Sequence, residues 1–436
     1  MSLIFLITLT FILFLSFIFA LNNTIFCISF KRANFSGLLI AKEIFIFVVI
    51  GIYLFELYGV SGFYTFYMSD ETIANTSYII FYALIVLFLT IGFVSKFLFR
   101  RYLYLRGESA LDINIGNIKN SLFLVLLLLL TIFIAMGLKH SFIHSIFMGG
   151  SLIDIRLSNR YSNIPTVLIS FYNFVLILFI VFVGYNFKKN DAIFKFFYIL
   201  TILFFSSFFG GKAPVINSLI LLYFSYLSSF NSIKFNFRFF SKIIIVFILI
   251  ASLMVLVIKV QFPDANIINF FIGRIGVGQI HGAYEQFALK LSKPDYIYHT
   301  IPFANYFFTY TPFNKDLMMH TWGYYLDSDS VGVMNSLFIG EALAIGGYPL
   351  VFFSPLIVAI NYCSIAFLLV FVLNKFYKIS LLDSKKIGGL VIVSYSGFTG
   401  DIAGLLFFKS FVMVTFFLFF LYFFYLIFKL LKNRLV

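Results

Sequence analysis

The sequence predicts an all-α polytopic integral membrane protein, with residues 1–436 forming a single membrane domain. Three observations carry this. Of 436 residues, 62% are hydrophobic and only 11% charged, and the mean hydropathy is +1.04, far outside soluble norms. The apolar residues fall in continuous runs, and a crossing takes roughly 20 of them. Those runs lack the alternation of a transmembrane barrel, so helices must satisfy the backbone polar groups within lipid.

About eleven spans follow at that length: 4–29, 44–60, 77–97, 122–138, 166–185, 196–209, 215–230, 243–260, 350–373, 387–403 and 405–428. The first has no basic leader and no small-x-small cleavage site, so it reads as a retained span, with room for a short hairpin at Asn22 and Asn23. The two cysteines, Cys27 and Cys363, lie in apolar runs without metal-ligand spacing and read as inert buried thiols.

Lysine and arginine set the orientation. One set of loops holds 21 cations against five acids, and the other 10 cations against 12 acids. The basic set includes Lys31, Arg32, Lys42, Arg100, Arg101, Lys188, Lys189, Lys385 and Lys386, with Glu43 among its acids. That face is cytoplasmic, the N-terminus lies outside and the C-terminus inside. The net charge of +14 is therefore topological and gives no argument for nucleic acid. All five histidines fall on the outer face. The cytoplasmic loops are short and hold no nucleotide-binding fold, so any chemistry takes place away from nucleotides.

Two outer loops stand out, 139–165 and 261–349. The second is the longest polar interval in the chain, and loops of that length are usually functional. In the first, Arg156 and Arg160 are four apart, on one face if helical. Arginine forks at that spacing suit two phosphates; headgroup snorkelling or pairing with Asp154 is the other reading. Between two short apolar runs stands Gly210-Gly211-Lys212-Ala213-Pro214. It is either an anion site at a helix N-terminus or a plain turn with an interfacial lysine.

Within 261–349, the Gly-rich run 273–282 carries Arg274, Gln279 and His281. It serves either close helix packing or the binding of sugar and pyrophosphate; no βαβ pattern surrounds it to support a dinucleotide site. Trp322 and Tyr324, with Tyr296, Tyr298, Tyr310 and Tyr325, suit sugar faces, although membrane-interface belts use the same residues; His320 and His281 are candidate bases. Asp327-Ser328-Asp329 reads as a polar turn rather than a metal site, and no H-x-x-x-H spacing exists. No metal or cofactor is expected. Glu341 sits among apolar and small residues just before a span. Burial there would raise its pKa into the range of a general base, and an ion pair with an outer arginine is compatible with that role. Asp401 and Lys409 read as an internal ion pair.

The phrase NSLFIGEALAIGGYPLVFFSPLIVA after a long outer loop resembles the Wzy family of O-antigen and oligosaccharide repeat-unit polymerases. The outward RLSNRYSNIP segment, the Gly-Gly-Lys turn and the span layout are similar too. The resemblance implies a bacterial inner-membrane glycosyltransferase of the GT-C type, acting at the periplasmic face on undecaprenyl-diphosphate-linked oligosaccharides. Glu341, His320 and His281 would then be the catalytic candidates. Arg156, Arg160, Lys212 and Arg274 would hold pyrophosphate, and Gln279, Trp322 and Tyr324 would hold sugar. Membrane lipids and a separate chain-length regulator are the expected partners. The related O-antigen ligases share the layout, and His320 keeps that activity open. A lipid-linked oligosaccharide flippase is a further alternative; it would require charge within the spans, where the sequence shows almost none. An acyltransferase would need a deep His and Asn, which the sequence does not clearly offer.

Overall fold

The computed structural model describes residues 2–22, 35–58, 68–106, 116–137, 165–208, 212–230, 277–322, 334–397 and 409–434, with isolated positions between 241 and 259. Among them every regular element is helical. The chain begins with α1 (Leu3–Asn22), then α2 (Phe35–Ala41), a π-helical stretch (Lys42–Val49) and α3 (Ile50–Tyr58) as one rod. There follow α4 (Asp70–Arg106), α5 (Gly116–Met136), α6 (Thr166–Asn186), α7 (Ala192–Ser206) and α8 (Lys212–Ser228). The long loop contributes α9 (His281–Leu289) and α10 (Phe313–Trp322). The chain closes with α11 (Leu337–Lys375), α12 (Leu381–Tyr395) and α13 (Lys409–Arg434).

Five helices among the described residues are long and apolar enough to cross a membrane: Leu3–Asn22, Phe35–Leu57, Asp70–Leu98, Val167–Asn186 and Leu337–Lys375. Four shorter apolar helices accompany them, at Leu122–Met136, Ala192–Ser206, Pro214–Ser228 and Val412–Ile427. Their outward faces are apolar: Phe93, Phe97, Ile134, Ile193 and Phe419 are all exposed. That inversion of the soluble pattern fits a lipid solvent.

The core is a bundle in which α4 packs along α11 and α1, and α6 packs along α5, α8 and α12. Aromatic edges fill the seams, as where Phe17 meets Phe88 at 5.2 Å. Without a hydrophobic force between helices in lipid, close backbone approach supplies the packing. Gly184 of α6 provides it against α8: an added Cβ would lie 2.4 Å from the Ser225 side chain.

Two of the boundaries that differ from the sequence expectation bear on the polar sites. The expected span 44–60 is preceded by helix from Phe35, so Lys42 and Glu43 are not in a loop but inside the rod that runs Phe35–Leu57. A charge pair resembles a span boundary because charge is costly in hydrocarbon; here it faces a polar space inside the bundle. The expected span 350–373 is likewise preceded by helix from Leu337, interrupted at Gly347, whose φ of 65° and ψ of −163° suit glycine alone. Glu341 therefore sits on a short helical segment set off from the span proper. Of the expected span 243–260, only isolated positions are described; Asp401, in the expected last outer turn, lies outside the described residues.

Candidate functional site

The loop ahead of α11 folds as a docked platform. Its helix α9 lies against α4, α10 and the first part of α11. Gly282 makes the approach possible: its N–H donates to the Asn335 carbonyl at 3.0 Å, and a Cβ there would come within 2.7 Å of that oxygen. Lys290 caps α9 in the left-handed region, its N–H donating to Gln286 O at 2.7 Å. A small second core of Tyr296, Phe313, Leu317, Met334 and Ala344 ties the rest of the loop to α11.

Three polar clusters are built on this platform. In the first, Glu341 Oε1 lies 3.1 Å from His299 Nδ1, with the two side chains only 4% and 14% exposed. The Pro294–Thr300 3₁₀ turn brings His299 over the α11 segment that carries Glu341. A buried carboxylate needs a hydrogen-bonding or charged partner, and an imidazole fills that role where the sequence suggested an arginine.

In the second, His281 and Glu285 are one turn apart on α9, with Nε2 and Oε1 at 3.1 Å. The Thr321 hydroxyl donates to the Glu285 carboxylate. His281 stacks on Phe55 of α3 at 5.8 Å and 12°. Burial pushes the His281 imidazole down to about 3, so it is neutral at physiological pH. Burial pushes the Glu285 carboxyl up to about 7, with donation from Thr321 offsetting part of the rise. A carboxyl near 7 is matched to proton transfer at neutral pH.

In the third, Asp316 accepts from Lys293 Nζ and from the Tyr296 hydroxyl, the latter at 2.5 Å. Burial raises this carboxyl, but donation from Lys293 and Tyr296 outweighs it, and the group sits below the ordinary carboxylate range. His320 lies one turn along α10, 4.0 Å from the other carboxylate oxygen, and is 41% exposed.

Of the residues singled out from sequence, Glu341, His281 and His320 thus all lie on the platform, each beside a carboxyl or imidazole partner. Gln279 is also there, but its Oε1 accepts from Asn335 Nδ2 at 3.1 Å, a contact that holds the turn before α9 against α11. Trp322 closes α10, and Lys212 opens α8. Arg156, Arg160, Arg274, Tyr324 and the Asp327-Ser328-Asp329 turn lie outside the described residues. Among the described residues no three His, Cys, Asp or Glu side chains are grouped to hold a metal.

Sequence reasoning missed His299, Glu285 and Thr321. Glu285 carried a local signal, since His281 and Glu285 are four apart in a helix-forming run and must share a face. His299 carried none, because its partner is 42 residues away. No protein-family model, curated protein or solved structure matches the chain.

Proposed function

We propose that the chain polymerises lipid-linked oligosaccharides. The growing glycan on one undecaprenyl diphosphate is transferred to a sugar hydroxyl of an incoming undecaprenyl-diphosphate-linked repeat unit. The reaction takes place at the periplasmic face of a bacterial inner membrane, as in glycosyltransferases of the GT-C type. The observation that carries this reading is the Glu341–His299 pair, buried on the platform beside a membrane-spanning bundle.

The chemistry divides among the residues as follows. Glu341 takes the proton as the acceptor hydroxyl attacks the anomeric carbon. The bond from that carbon to the diphosphate oxygen breaks, and lipid diphosphate leaves with the electron pair. His299 fixes the orientation of the Glu341 carboxylate. Arg156, Arg160, Lys212 and Arg274 balance the charge that develops on the leaving diphosphate. His281, neutral and buried against Phe55, packs beside Glu285 and does not act as an acid. Trp322 and Tyr324 serve the sugar faces. The donor is already activated, so no nucleotide or other cofactor is required. A chain-length regulator in the same membrane is the protein partner this activity calls for.

Two observations favour other readings. Lys42 and Glu43 inside a candidate span supply the buried charge that a lipid-linked oligosaccharide flippase needs. The exposed His320 on α10 suits a ligase. Deleting the gene and resolving surface lipopolysaccharide on a gel separates polymerisation from the other two. Loss of the ladder with a single repeat retained supports polymerisation. Loss of every repeat supports a flippase or a ligase and overturns it.

A further inference from the structure

A cavity of about 500 Å³, open along the side where Asn173 and Asn217 are exposed, lies between the π-helical stretch, α6, α8 and α12. Polar groups from four elements converge on it: Lys42 and Glu43, Asn173, Asn217, and Ser394 with Ser396. Side chains of this kind are costly against lipid and belong to a cavity or pathway. The backbone departs from regularity at the same place. α12 has 15 residues, or about 22 Å, less than the ~30 Å hydrocarbon core. Its last turn, 393–395, lines the cavity, as does Pro214 in the first turn of α8. At Gly397 a Cβ would sit 3.1 Å from both Glu43 carboxylate oxygens. Helix ends within a bundle are tolerated where they line a cavity, and such broken helices form substrate sites in transporters. The π-helical turns beside it are also a frequent mark of functional positions.

We infer that this cavity binds an uncharged, hydroxyl-rich head group, the saccharide part of an amphiphile. Lys42 and Glu43 are neighbours of opposite sign, so their charges cancel and the space favours no anion. The amides and hydroxyls supply donors and acceptors in mixed array, as sugar hydroxyls require. Leu39, Leu176, Ile177 and Leu221 provide apolar wall for the C–H faces of a ring. The volume falls in the ~300–1,000 Å³ range of small-molecule sites. The inference depends on the polymerase reading only for the source of the sugar.

The test uses the full-length protein in its native cells. A photoreactive p-benzoylphenylalanine is placed at Asn217, at Asn173, and at the outward-facing Phe419 as a control. After irradiation, the purified protein is examined by intact mass and by periodate labelling of sugars. The expected result is a mass increase with periodate-reactive sugar at 217 and 173, and phospholipid adducts alone at 419. If 419 yields its lipid adduct while 217 and 173 yield none, or only phospholipid, the inference is overturned. The two readings fail separately. Sugar adducts with an unchanged glycan ladder after gene deletion would remove the polymerase reading and leave the cavity assignment standing. A collapsed ladder without sugar adducts would do the reverse.

Discussion

Replacing Glu341 with glutamine tests the catalytic pair at its centre. The substitution preserves shape on the short segment before Gly347 and removes only the carboxylate. Loss of a positioned general base costs about 100- to 10,000-fold in rate, or about 3 to 5 kcal/mol of barrier. Weakening the hydrogen bond to His299, which lies at 3.1 Å, costs at most about 1.5–3 kcal/mol of stability for a charged partner, and the amide oxygen recovers part of it. The kinetic effect therefore dominates, and the protein should reach the membrane at wild-type level while chain extension collapses. A deletion strain complemented with Glu341→Gln should show a single repeat on the gel, with normal protein on an immunoblot. His299→Gln should lose less, because it acts through Glu341. The double variant should be no worse than Glu341→Gln alone, since residues that act as a unit are non-additive. A wild-type ladder from Glu341→Gln would refute the assignment of the base. A double variant much worse than either single would refute the pairing.

Four further outcomes are expected. The Glu285 carboxyl stands at about 7 in the fold against an ordinary 4.5, so the folded protein retains a proton that the unfolded chain has released between those values. Stability should then fall as pH rises through that window, and Glu285→Gln should flatten the fall in thermal-shift midpoints measured at pH 5 and pH 8; an unchanged slope would contradict the assignment. Gly282→Ala places a methyl 2.7 Å from the Asn335 carbonyl oxygen, and overpacking of this kind costs about 1–3 kcal/mol, so the thermal midpoint should drop and protease should cut the loop faster. Asp316→Asn weakens the anchor to Lys293 and Tyr296, and faster proteolysis within 290–322 should report it while the spans stay protected. Because His320 is exposed, His320→Cys in a Cys27→Ser background should react with an impermeant maleimide added outside the inner membrane, and labelling only after lysis would reverse the orientation.

Composition and the continuity of the apolar runs together were sufficient for the helical class, because lipid leaves only helices and closed barrels to satisfy the backbone and a barrel strand would alternate. Individual boundaries were less legible. Lys42 and Glu43 look like the end of a span, and only the fold shows that they turn into a cavity shared with α6, α8 and α12. The same pair puts charge inside a candidate span, where the sequence shows almost none. Glu341 was legible as a carboxyl among small and apolar neighbours, and it is buried as expected. Its partner was not, since the His299 contact depends on a 3₁₀ turn folding back across a distant helix. The His281–Glu285 pair was legible in principle from its spacing, but the acid lay in a stretch dominated by glycine and aromatic residues.

The most direct measurement is reconstitution of the purified protein in vesicles with the undecaprenyl-diphosphate-linked repeat unit as sole substrate and no nucleotide. The expected result is glycans of increasing length on the lipid, one lipid diphosphate released per added unit, and neither product from Glu341→Gln. Repeat units that are only moved across the bilayer, with no lipid diphosphate released, would contradict it.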